Sequence, residues 1–173
     1  MFGWLFGRKR DDEFFLKMMK AAAEGHHLAK IREAIATISS DPLPRPETEM
    51  AGAAAAILAK TVTELAIKRI HDDDDRFCAG MFAFVFADHF SRLAAGNFEL
   101  AAFSAVLNTL GVTEVERCFN AIVTSHTNMA QSDSKILVAI GTSCNAWLEE
   151  PTRQKLERLA EIFKVTRKCV TEM

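Results

Sequence analysis

Tyrosine is absent from this 173-residue chain, and proline and glycine are scarce, at four and eight residues. Three of the four prolines, Pro42, Pro44 and Pro46, fall within five residues of one another. A chain this poor in breakers and rich in alanine favours helices and argues against a sheet sandwich. No CxxC pair occurs, which leaves a zinc site without support. Cys78, Cys118, Cys144 and Cys169 are widely spaced and read as reduced core thiols of a cytoplasmic protein. Charge of one sign is lacking too: the formal net charge is −2, and the aromatics sit in apolar stripes rather than among Lys and Arg. Nucleic acid is therefore not an expected partner.

Catalytic signatures are missing as well. There is no GxSxG, no GxxxxGK[ST], no GxGxxG and no HExxH. A di-iron bundle needs Glu-x-x-His pairs on two helices. The single match, Glu24 to His27, carries Gly25 inside it. No catalytic residue, metal ligand or cofactor is assigned, and enzymatic activity is not the expectation. The start of the chain puts apolar residues before basic ones, the reverse of a secretory signal, and neither myristoylation nor prenylation has its motif.

What the sequence does hold is a core segment. Phe77 to Phe90 reads FCAGMFAFVFADHF and carries five of the thirteen phenylalanines. Cys78, Phe82, Val85 and His89 share one helical stripe, and Phe82, Phe86 and Phe90 share the row beside it. A helix that is apolar nearly all round must be surrounded by other helices. A membrane span is excluded for this stretch because it falls short of about 20 apolar residues. Asp88 and Arg92 are spaced to form an ion pair on the helix surface.

The expected architecture is all-α, a single-domain bundle of six to seven helices around a buried central helix at about residues 72–95. The bundle occupies residues 11–173, behind a tail at 1–10. Asp11, Asp12 and Glu13 open the first helix, whose apolar face continues through Phe14, Phe15, Met18 and Met19. The segment SSDPLPRP ends it, and Pro46 serves as the first residue of an Ala-rich second helix. Gly96 stops the central helix and Asn97 caps the next. The inner face of that next helix is expected to be Leu100, Phe103, Val106, Leu107 and Leu110. Thr113 and Glu116 match a capping box. Lys164, Arg167 and Lys168 suit the negative end of the last helix.

Three features bear on function. The tail, MFGWLFGRKR, sets Phe2, Trp4, Leu5 and Phe6 before Arg8, Lys9 and Arg10. Such side chains enter the headgroup boundary while the cations meet anionic lipid. The same tail could instead meet a protein partner, including a second copy of the chain in a homodimer, or fold back on its own core. Secondly, His71 to Asp75 reads HDDDD but lacks the alternation and central Gly of a calcium loop, so it is taken as a solvated helix start rather than a cation site. Thirdly, His89 and His126 fall on apolar faces, where a polar group costs free energy unless hydrogen-bonded. The leading expectation is a cytoplasmic protein acting by association, its tail touching the inner face of an anionic membrane or a protein partner. The alternative is a bundle binding a small apolar ligand or haem-like cofactor in a pocket formed by Phe82, Phe86, and His89 or His126.

Overall fold

The computed structural model describes residues 16, 19–20, 25–94, 97–132 and 134–171, and among them there is no strand. Residues 25–36 form α1. The elements that follow are α2 (Glu47–Ile67), α3 (Asp73–Leu93), α4 (Phe98–Leu110), α5 (Val112–Gln131), α6 (Lys135–Glu149) and α7 (Arg153–Thr171). The protein is an all-α bundle.

Helix α3 packs against α2, α4, α5, α6 and α7. Every residue from Cys78 to Ala87 is buried, as its unbroken apolar run requires. Its acidic start is held by Asp72, whose side chain accepts from the Asp75 amide at 2.8 Å. Helix α2 is also long and apolar enough, over Glu49–Ile67, to cross a membrane. Here Met50, Ala54, Leu58 and Val62 are fully buried in the core, and α3, α4 and α7 cover the helix.

The expected inner face of α4 holds only in its second half, where Val106 is buried and Leu107 and Leu110 pack against the core. In its first half Leu100 is 62% exposed and Phe103 46%, and Ala101, Ala102 and Ala105 face the core instead. The cause is the close approach of α2. A Cβ on Gly52 would sit 2.9 Å from the Ala101 carbonyl oxygen and 3.0 Å from the Ser104 Cβ. Backbones this near admit only small side chains between them, so Leu100 and Phe103 are turned outward.

Two starts also differ from expectation. Pro46 is the extended residue before α2 rather than its first turn. The Thr113–Glu116 capping box does not form, because Gly111 both ends α4 and starts α5 at φ 90°. That conformation suits glycine and reverses the chain in a single residue, which leaves Thr113 already inside the helix. Asn97 does cap α4, accepting from the Leu100 amide at 3.1 Å. The proline-rich connection is tied down by Arg32, which donates to the carbonyl oxygen of Pro44 at 2.8 Å. Gly96 and the face formed by Phe14, Phe15 and Met18 lie outside the described residues.

At the end of α2, Lys68 takes φ 65° and ψ −48°, and the Arg69 amide donates to the Ile67 carbonyl at 2.8 Å. This is a strained γ-turn, and Lys68 is the only non-glycine with positive φ among the described residues.

Substitution of Gly52 by alanine is expected to lower stability by about 1–2 kcal/mol, although alanine is the better helix former by about 1 kcal/mol. Gly141→Ala, where no atom lies within 4 Å of the added carbon, should stabilise by up to about 1 kcal/mol. Lys68→Gly should stabilise by about 1 kcal/mol through relief of strain. Urea unfolding of the three variants checks all three signs.

Candidate functional site

The side chains singled out in the sequence are distributed around α3 by helical geometry. Phe82 and Phe86 meet edge to face at 5.8 Å, and Phe82 also stacks on Phe163 of α7 at 5.1 Å. Both are fully buried. Phe84 points to another side, contacting Phe98 at 5.2 Å, Phe119 at 6.2 Å and the His126 ring at 4.9 Å. Residues 84 and 89 are five apart, a rotation of about 140° around the helix. His89 therefore faces α6, where its Nε2 lies 2.5 Å from Asn145 Oδ1, while His126 of α5 rests on the Phe84 ring of α3. Phe82 and Phe86 come together, and the two histidines contact different neighbours.

Burial disfavours the charged form of both imidazoles and lowers their pKa values. For His89 the Asn145 hydrogen bond and the Asp88 carboxylate oppose burial without reversing it, and Arg92 adds to it. Asp88 and Arg92 act on His126 with the same opposing signs. These two residues form the ion pair expected from their spacing, at 2.8 Å. Each ring is thus a neutral imidazole at the edge of the core near a salt bridge. The Asn145 oxygen requires His89 to hold its proton on Nε2.

The acidic run before α3 does something the sequence reading missed. Asp75 is only 1% exposed and is not solvated. Its carboxylate accepts from the His71 amide at 2.8 Å and from Arg167 Nε, while Arg167 Nη2 reaches Asp72 at 2.9 Å. Arg167 therefore fastens the end of α7 to the start of α3 rather than merely balancing its own helix dipole. Burial pushes the Asp75 pKa up, but the Arg167 hydrogen bond and charge and the His71 and Asp72 contacts outweigh it, leaving a net lowering. Nearby, Arg76 bridges Asp73 at 2.7 Å and Glu114 of α5 at 3.3 Å. The only sequence clue was an arginine one turn from the end of α7, and pairing across 92 residues has no local signature.

Beside this cap, a cleft of about 430 Å³ is lined by Asp73, Phe77, Glu114, Arg117 and Cys118. Of its acids, Asp73 is paired with Arg76, and Glu114 with Arg76 and Arg117. The Cys118 thiol is raised by burial and by Glu114 and Asp73, and so holds its proton. Cys78 is pushed up to about 12, chiefly by burial, and Cys144 is raised by burial alone. Cys169 departs from the core-thiol expectation because it lies near the exposed end of α7. Among the described residues no three His, Cys, Asp or Glu side chains are grouped to hold a metal ion. Phe2, Trp4, Leu5, Phe6, Arg8, Lys9 and Arg10 lie outside the described residues. Just after them in the chain, Leu16 is 66% exposed and Met19 57%.

Asp75→Ala is expected to destabilise the fold by about 3 kcal/mol, read by urea unfolding. Because its folded pKa is lowered, the Asp75 contribution is present above the ordinary carboxylate value of 3.8 and is lost as pH falls through the lower folded value. The histidines act in a higher window. Unfolded imidazole takes up a proton near 6.5 while the folded rings resist, so stability should fall as pH drops below 6.5. A His89→Gln/His126→Gln double variant should show a flatter profile there.

A scan against protein-family models gives no match, and no curated protein or solved structure shows significant similarity to the chain.

Proposed function

We propose that the protein acts by association, its N-terminal segment contacting an anionic membrane surface from the cytoplasmic side. The observation that carries this reading is the exposure of Leu16 and Met19, large apolar side chains set just after the apolar and basic tail in the chain. The charged run Arg8 to Glu13 separates the tail's apolar residues from this second apolar group, which the bundle leaves uncovered. Insertion of Phe2, Trp4, Leu5 and Phe6 into the headgroup boundary contributes up to about 2 kcal/mol each. Arg8, Lys9 and Arg10 each add about 1 kcal/mol next to anionic lipid. The second part is weakened by salt and the first is not. Together they supply the two signals that stable peripheral anchoring needs.

Flotation with liposomes tests the proposal. Full-length protein should float with anionic vesicles, less at high salt, and only weakly with neutral vesicles. Removal of residues 1–10 should abolish flotation and leave the circular dichroism spectrum helical. Leu16→Glu/Met19→Glu should weaken it several-fold. Undiminished flotation of the truncated protein, or none by the full chain, would sink the reading, and light scattering of the full chain would then test a homodimer contact.

A further inference from the structure

Away from the N-terminal segment, the end of α2 and the end of α4 enclose a cleft of about 360 Å³. Lys60, Lys68 and Arg69 line it, together with Thr63, Glu64 and Thr109. Three cations thus face one carboxylate in a protein whose formal net charge is −2. Among the described residues none of the three forms an ion pair or side-chain hydrogen bond, and neither does Glu64.

Cations near helix C-termini often serve the fold by capping carbonyls or balancing the dipole. Elsewhere in this protein that role is visible. Lys155 donates to the Ala146 carbonyl at 2.9 Å at the end of α6, and Arg32 donates to Pro44. At the end of α2 the work is done by backbone amides. Lys68 N donates to the Glu64 carbonyl at 3.0 Å and Arg69 N to that of Ile67 at 2.8 Å. The Leu107 carbonyl of α4 is met by the Gly111 amide at 2.8 Å. The lysine and arginine side chains are left over.

The backbone conformation makes the same point independently. A lysine occupies a strained γ-turn, at φ 65°, where glycine would sit without strain. Strain kept at a charged residue facing a cleft points to use of that side chain. Thr63 and Thr109 spend their hydroxyl protons on the Ala59 and Ala105 carbonyls, so recognition falls to the cations.

We propose that this cleft binds a phosphate-bearing anion, held between Lys60, Lys68 and Arg69. Arg69 offers a planar fork that matches phosphate oxygens, and the two ammonium groups supply point charges. A multiply charged phosphate is favoured over a carboxylate because three cations outnumber the single negative group beside them. The anion could be a soluble phosphate compound or a phosphomonoester lipid headgroup. The site shares no residue with the tail.

Inorganic pyrophosphate is titrated into the full-length protein at low salt by calorimetry, and the same protein is floated with vesicles containing phosphatidate. Lys60→Gln/Lys68→Gln/Arg69→Gln is compared with Arg45→Gln/Lys135→Gln/Arg158→Gln, a control with the same change in net charge. The cleft variant should bind pyrophosphate about tenfold more weakly, with the control unchanged. Flotation reduced only in the cleft variant assigns the site to a headgroup, and flotation equal in both assigns pyrophosphate binding to a soluble ligand. Equal weakening in the two triple variants, or no loss specific to the cleft variant in either arm, overturns the proposal. Melting temperatures confirm that these exposed substitutions leave the fold intact.

Discussion

Helix α3 carries apolar or small side chains on every face from Cys78 to Ala87, and no single neighbour can cover such a helix. Five helices gather around it as a result. The covering is uneven in kind. On two sides phenylalanines pack as rings, Phe82 against Phe86 and Phe163 on one and Phe84 against Phe98 and Phe119 on the other. Elsewhere α2 and α4 approach through Gly52 and a series of alanines, and contact is made nearly backbone to backbone. Close-packed interiors leave no room for compromise between these modes. The price of the close approach is visible at Leu100 and Phe103, which are turned outward where Ala101, Ala102 and Ala105 face the core.

The polar groups follow from the same arrangement. Surrounding α3 brings its acidic start beneath the end of α7, and Asp75 is buried there with Arg167 as its counter-ion. A buried carboxylate without such a partner would cost several kcal/mol. Arg76 extends the network to Glu114 and so joins the starts of α3 and α5. At the other end of the bundle Lys30 of α1 grips Glu149 of α6 at 2.7 Å. The charges that hold helices together can thus be separated from those that hold nothing, and it is the second class, at the end of α2, that faces an open cleft.

An association role and a rigid bundle are compatible in physical terms. The core from Ile31 to Phe163 is tightly buried, and the two histidines at its edge are held neutral by burial. Two surface features lie in different parts of the chain: an apolar and basic N-terminal segment, and a cationic cleft formed by α2 and α4. Both suit anionic chemistry, the first through a combination of insertion and charge, the second through charge alone.

The sequence alone determined the all-helical class, the central place of Phe77 to Phe90, the Asn97 cap and the Asp88–Arg92 pair. Each of these rests on periodicity or on partners within about one helical turn, which local physics fully specifies. Only the tertiary structure decided the inner face of α4, the absence of the Thr113 capping box and the burial of Asp75. Only it set His89 toward Asn145 and His126 toward Phe84. Each of those depends on which helix approaches from outside and how closely. Gly52 moved the face of α4, Gly111 moved the start of α5, and Arg167 reached Asp75 from a helix 92 residues away. Local pattern tells a side chain which face it shares, and the neighbour across the gap determines whether that face is core, cap or surface.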